Sequence, residues 1–370
     1  MKNTFGSSVT VTLFGESHGP AVGAVLDGLA PGIPVDEGFI ARQLTLRRPV
    51  GAISTGRVEP DRFEIVSGVF EGRTTGTPLC ILIPNEDARS EDYDALETLA
   101  RPGHADYTGW VKYHGFADRR GGGHFSGRVT AALTAAGAVV IPALRAKGIV
   151  IGTHIARCGG VADLPFSALP GELDALNEKR FAVLDEDAGE RMRTSIAAAA
   201  AEGNSVGGIL ETAVCGLPAG VGEPWFDTLE GMLSHALFSI PGVKGVDFGG
   251  AFELTDRRGS EYNDAFCMDG GAVRTKTNRS GGVNGGISNG MPLCFRCAVK
   301  PTPSIRRTQE TVDYIRGENA ALSLEGRHDP AIIHRARVVA DSVTALVLCD
   351  ALAQRFGTDW LGGSACAADR

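Results

Sequence analysis

Three short segments concentrate residues able to move protons. Gly15-Glu-Ser-His-Gly19 sets Ser17 and His18 between two glycines. Arg101-Pro-Gly-His-Ala-Asp106 flanks His104 with opposite charges, and Arg327-His-Asp-Pro330 puts Asp329 before a proline. Imidazole exchanges protons near neutral pH, so histidines in glycine-bounded loops read as acid–base groups facing a ligand. Each segment also has a bland reading. The first is then a plain turn, the second a helix end with a satisfied histidine, and Asp329 a helix cap. Gly15 to Gly19 further fits G-x-S-x-G, the strand-to-helix turn that presents an acylating serine. Its context is wrong for that, because residues 21–26 continue as a strand and no earlier strand supplies an oxyanion loop.

A second group of segments is built to hold anions. Arg119-Arg-Gly-Gly-Gly-His-Phe-Ser-Gly-Arg128 runs a glycine triplet into an alanine-rich helix. Exposed N–H groups and the helix dipole both favour negative charge there, and Ser126 and Arg128 add donors. The loop lacks G-K-[ST], and no strand–GxGxxG–helix unit occurs, so neither an ATP loop nor a dinucleotide fingerprint is present. Arg47, Arg48 and Arg57 lie near Gly51 and Gly56, with further loops at Gly285-Gly-Ile-Ser-Asn-Gly290 and Lys300-Pro-Thr-Pro-Ser304. Guanidinium is the bidentate partner of phosphate and carboxylate. Such loops in a chain of formal net charge -8 imply a small, multiply anionic ligand and argue against wholesale nucleic-acid binding.

The elements that must position these loops follow from periodicity. Residues 8–14 and 21–26 read as strands of a hairpin, with short strands at 63–67 and 77–83. Residues 291–300 read as another strand. Helices are expected at 36–46 with Asp36 as cap, at 90–99 capped by Ser90, and at 126–147, where Pro142 implies a kink or break. Further helices are expected at 187–202, stopped by Gly203, at 227–238, and at 331–356. The spacing is too irregular for repeated βαβ units. No linker divides the chain, so residues 1–370 are expected to form one domain, with 163–187 as a surface insertion. Two stretches loosely mirror each other as helix, glycine-rich segment and strand.

Composition narrows the class. With 43% hydrophobic residues in 370, a sizeable core is available. The 50 glycines fall in short groups between apolar segments, as in a site assembled from loops. Eight cysteines are scattered, unlike a disulfide scaffold. Cys294 and Cys297 have no second pair to complete a zinc site and read as small core residues. No signal pattern begins the chain, and no apolar run is expected to approach the ~20 residues of a membrane span. A soluble, reducing, cytoplasmic setting is the expectation.

Taken in order, these segments resemble the chorismate synthase family. Gly15-Glu-Ser-His-Gly19 with Asp27-Gly-Leu-Ala-Pro-Gly32 is similar to its first signature, and Gly123-His-Phe-Ser-Gly-Arg128 to its second. Arg327-His-Asp-Pro330 begins the third. Ser67-Gly-Val-Phe-Glu-Gly-Arg-Thr-Thr-Gly-Thr-Pro78, Gly216-Leu-Pro-Ala-Gly220 and Ser239-Ile-Pro-Gly-Val-Lys-Gly245 lie between them in family order. The resemblance implies an α+β sandwich, a helical layer between antiparallel β-sheets with internal pseudo-symmetry, usually as a homotetramer. It implies 1,4-anti elimination of phosphate from 5-enolpyruvylshikimate 3-phosphate (EPSP) to give chorismate, requiring reduced FMN, with NADPH as a candidate reductant. By resemblance His18 acts as general acid at the phosphate with Ser17 beside it. His104 manages flavin protonation, and Asp329 assists proton removal at the flavin. His124, Phe125, Ser126, Pro241, Gly242, Gly285, Lys300, Pro301, Thr302, Pro303, Ser304 and Arg327 match flavin-contact positions. Arg47, Arg48, Arg57 and Arg128 match substrate-holding ones. The chain departs from the family at His124, where arginine is common, in a short loop after Pro49, and at Asn204 and Asp341.

Overall fold

The computed structural model describes residues 2–49, 51–54, 60–86, 98–167, 169–324 and 329–362. Arg57, Arg327 and most of the helix expected at 90–99 lie outside them.

Two five-stranded antiparallel sheets enclose a layer of helices. The first sheet runs Thr4–Phe5, Thr10–Gly15, Ala21–Asp27, Leu79–Pro84, Glu64–Ser67 in spatial order. The expected hairpin is its centre, with Thr10 opposite Asp27 and Gly15 opposite Val22. The second sheet runs Val243–Phe248, Leu293–Val299, Gly208–Cys215, Val150–Cys158, Val161–Ala162. Helix Thr130–Ala146 packs on the first sheet and helix Ile333–Phe356 on the second, and the two helices pack on each other. Each half is therefore a sheet followed by a long helix, which is the internal pseudo-symmetry. Helix Glu37–Arg47 packs on both long helices, and helix Leu229–Leu237 on the second.

Local chemistry explains the ends of these helices. Asp36 caps Glu37–Arg47 by accepting from Phe39 N–H at 2.8 Å. Asp185 accepts from Asp187 and Ala188 N–H at the start of Glu186–Ala201. Thr228 accepts from Gly231 N–H at the start of Leu229–Leu237.

The long helices are buried on nearly every face, as a helix between two sheets must be. They touch at Gly137, where a Cβ would lie 2.4 Å from Ser342 Cβ and 2.5 Å from its Cα. Asp350 ties the last helix to the first strands, its carboxylate accepting from Ser8 N–H at 2.7 Å, Val9 N–H at 2.9 Å and Ser7 N–H at 3.1 Å. On the second sheet, Thr153 donates to Asp341 at 2.6 Å and Arg337 donates to the other Asp341 oxygen at 2.9 Å.

Three expectations are corrected. The helix is unbroken at Pro142, because packing between sheet and helix holds its flanking turns in place. Segment Gly127–Ala146 is long and apolar enough to cross a membrane, but it is mostly buried as core. Residues 163–187 are no loose insertion. Helix Gly171–Asn177 packs on Val150–Cys158 with Leu173 and Leu176 buried, and the Asp163 carboxylate accepts from Leu184 and Asp185 N–H.

Candidate active site

The glycine triplet is the pivot of the site. Gly121, Gly122 and Gly123 all have left-handed backbones, with φ of 60°, 88° and 54°, which glycine adopts without steric cost. A Cβ on Gly121 would lie 2.0 Å from His18 Cε1 and 3.0 Å from Ser17 Oγ. One on Gly122 would lie 3.1 Å from His104 Cε1. Gly121 thus leaves no room for a Cβ against His18, and Gly122 packs tightly against His104. Ser17 N–H donates to Gly123 O at 3.0 Å, and His124 Nδ1 lies 2.7 Å from Gly15 O, so the first two signatures are laced together.

His104 is oriented by its neighbours. Arg101 makes a bidentate pair with Asp106 at 2.8 and 2.7 Å, and His104 Nδ1 lies 3.1 Å from Asp106 Oδ1. Burial alone would raise the Asp106 carboxyl, but hydrogen bonds from Arg101 and His104, with their charges, hold it well below the usual range.

Ser17 is fully buried, and its Oγ has no hydrogen-bond partner among the described residues. A strand follows it instead of a helix. It is not an exposed nucleophile, and the hydrolase reading fails on this geometry.

A cavity of about 970 Å³ gathers most of the remaining residues. His104, His124, Phe125, Ser126, Pro241, Gly242, Lys300, Pro301, Thr302, Pro303, Ser304, Asp329, Arg47 and Arg128 all line it. So do Gly127 to Thr130, the turn opening helix Thr130–Ala146, as the anion-loop reading requires. Its walls include Phe125, Ile240 and Ile332. Lys300 donates from Nζ to Gly103 O and from its backbone to Gly242 O, joining the His104 loop to the Pro241 turn.

Arg47, Arg48 and Arg128 converge on Asp61, which no motif contains. Arg47 donates to its Oδ2 at 2.9 Å, Arg48 Nε lies 3.7 Å from the same oxygen, and Arg128 donates to Oδ1. Burial would raise Asp61, but the Arg47 and Arg128 charges and hydrogen bonds outweigh it and hold the carboxyl below its ordinary value. Asp329 does not cap a helix, since the helix begins at Ile333. Its carboxylate accepts from Arg335 at 2.5 Å instead.

Some expected residues stand apart. His18 and Ser17 do not line the cavity and lie against Gly121. Gly285 opens on a second cavity of about 430 Å³ with Glu230, Asp247 and Tyr262. It belongs to the N-terminal end of helix Leu229–Leu237, whose Leu229 N–H donates to Gly286 O, whereas Pro241 and Gly242 follow the other end. Arg335, Asp61 and Asn85 escaped sequence reasoning because none sits in a glycine loop. Asp61 and Asn85 each follow a proline closely, which is no signal of function by itself.

Comparison with known proteins places the chain in a family. A family model described as chorismate synthase matches residues 9–353. The chorismate synthase of Methanocella arvoryzae is 46% identical over 352 residues, covering 94% of this chain and 93% of its own. That of Archaeoglobus fulgidus is 45% identical over 350 residues, covering 95% and 97%. Dehalococcoides mccartyi chorismate synthase is 44% identical over 361 residues, covering 96% and 98%. A solved structure titled as the crystal structure of chorismate synthase superposes with a TM-score of 0.76 at 28% identity, covering 96% of this chain and 95% of that one. With the first two signature loops laced together and the likeness running through almost the whole chain, this protein belongs to the chorismate synthase family.

Proposed function

We propose that the chain eliminates phosphate from EPSP to give chorismate, the reaction of its family, at the 970 Å³ cavity with reduced FMN bound there. The carrying observation is convergence. His104, Asp329 and nearly all the expected flavin-contact residues among those described line one cavity, with Arg47 and Arg128 on its wall. Its volume lies at the upper end of the roughly 300–1,000 Å³ of small-molecule sites, leaving room for cofactor and substrate together.

The residues fit a flavin. Phe125 and Pro241 offer apolar surface for a ring system, while Ser126, Lys300, Thr302 and Ser304 offer polar partners around it. Reduced flavin supplies the electron chemistry when bound. The protein positions and moves protons. Arg47, Arg48 and Arg128, net positive after Asp61, stabilise the charge that departs with phosphate. By resemblance, His18 donates a proton at that phosphate from its place beside Gly121, with Ser17 next to it. Asp329, held by Arg335, accepts a proton on the flavin side, and His104, held by Asp106, sets protonation there. Arg57 and Arg327 join by resemblance. Gly285, which faces the other cavity, likewise joins by resemblance alone.

The test is anaerobic turnover of EPSP with photoreduced FMN, following chorismate absorbance and released phosphate. Stoichiometric products are expected, and their absence in a protein that binds FMN overturns the reading. Repeating it with oxidised FMN and NADPH decides whether this chain reduces its own flavin. By the same resemblance we propose a single-domain chain, a homotetramer and a cytoplasmic setting. Light scattering tests the oligomer.

A further inference from the structure

We propose that Asp61 is the positioning residue that aligns the anion-binding arginines with both proton-handling ends of the site. The proposal rests on the assignment of Arg47 and Arg128 to the phosphate of the substrate.

Asp61 is central to a continuous chain of polar contacts. From one oxygen, Arg47 leads through its backbone carbonyl to Arg335 Nε at 2.9 Å, and Arg335 holds Asp329. From the other oxygen, Arg128 leads through Nε to Asn85 Oδ1 at 2.8 Å. Asn85 Nδ2 then donates to Glu16 O at 2.9 Å and Gly19 O at 2.8 Å, the two carbonyls that bracket Ser17 and His18. The chain therefore runs from Asp329 to the His18 loop with Asp61 at its middle.

The burial of its members makes this arrangement demanding. The Asp61 side chain is fully buried, and those of Arg47 and Arg128 are 4% and 3% exposed. Three guanidinium groups meeting one carboxylate leave two net positive charges, a match for a phosphate monoester dianion. Without the carboxylate the cations repel, and the group bonded to both Arg47 and Arg128 is lost. Asp61 also adopts a left-handed backbone with φ 48°, which aspartate tolerates better than most residues.

A countercharge and a positioning group predict opposite results. Removing a mere countercharge leaves the site more positive and tightens anion binding; removing a positioning group splays the arginines and weakens it. Asp61→Asn is nearly isosteric but turns an N–H toward one arginine. Its KM for EPSP should rise about tenfold or more, with a smaller fall in kcat. Partial restoration of KM by Asp61→Glu is the expected rescue. An unchanged or lower KM, or a fall in kcat alone as from partial unfolding, overturns the proposal. Arg47→Ala, measured in parallel, separates the two assignments. If it raises KM while Asp61→Asn does not, only the Asp61 inference fails. If Arg47→Ala leaves KM unchanged, the arginine assignment fails and takes the inference with it. Should Asp61→Asn not fold, Asn85→Ala tests the chain from its other arm, with a raised KM expected and an unchanged one overturning it.

Discussion

Gly121 lies against His18, and Gly122 against His104, only because these two residues lack side chains. That makes Gly121 as consequential as the histidines. Gly121→Ala should displace His18 and lower turnover on the order of 100-fold, with FMN affinity retained, since its Cβ would fall 2.0 Å from the imidazole. His18→Ala should lower kcat by about 10²- to 10⁴-fold, the range of a lost general acid, and also leave FMN binding intact. Flavin titration beside steady-state kinetics checks both. Loss of FMN binding in either would mean that the loop supports the cavity instead of supplying chemistry.

At the scale of elements, helices carry the site and single buried groups hold the helices. Asp350 secures the last helix to the first sheet through backbone N–H groups of three residues. Asp350→Ala should cost about 1–3 kcal/mol, read by denaturant unfolding, because it orphans the buried Val9 N–H, a loss of about that size. His334 joins the same helix to the loop after Pro49, with Nε2 2.7 Å from Ser54 Oγ and its ring stacked on Phe181. Burial pushes its pKa down from 6.5 to about 4, only partly opposed by the Asp329 charge. A depressed histidine folds neutral, so the unfolded chain takes up the proton first as the solution is acidified. Stability from this site is intact above pH 6.5 and is lost as pH falls toward 4. Thermal melts of His334→Leu should show a weaker pH dependence across that window than the parent; equal slopes would refute the assignment.

For the whole molecule, the helical layer decides stability. The long helices meet at Gly137 with no room for a methyl group, and each packs on its own sheet. Gly137→Leu should therefore separate the halves and cost about 3 kcal/mol, read from denaturant unfolding, as overpacking does in rigid cores. Wild-type stability there would show that the layer can shift. The outer face of the second sheet carries a different organisation. Asp163, His154, Glu211, Arg296 and Asp247 alternate in sign across neighbouring strands, each bonded to the next or opposite it in register. Burial alone would lower the His154 pKa, but its hydrogen bonds to the Asp163 and Glu211 carboxylates, with their charges, raise it.

Local sequence determined more of this protein than the irregular spacing of its elements promises. The hairpin, the Asp36 cap and the alanine-rich helices are set by alternation, capping and propensity, which act over a few residues. The glycine triplet and the histidine loops were legible because glycine and imidazole have distinctive chemistry. The family was legible from the order of those motifs. The tertiary structure decided which of them meet. Arg335 reaches the carbonyl of Arg47 across 288 positions, and Arg128 reaches Asp61 across 67. Neither pairing has a period or a motif, because a buried acceptor, carbonyl or carboxylate, takes whichever guanidinium the packing brings to it. The same physics left Pro142 within an unbroken helix and turned a segment of membrane-spanning length into the core between two sheets. Local rules specify what each segment prefers; burial between layers decides where its side chains lie.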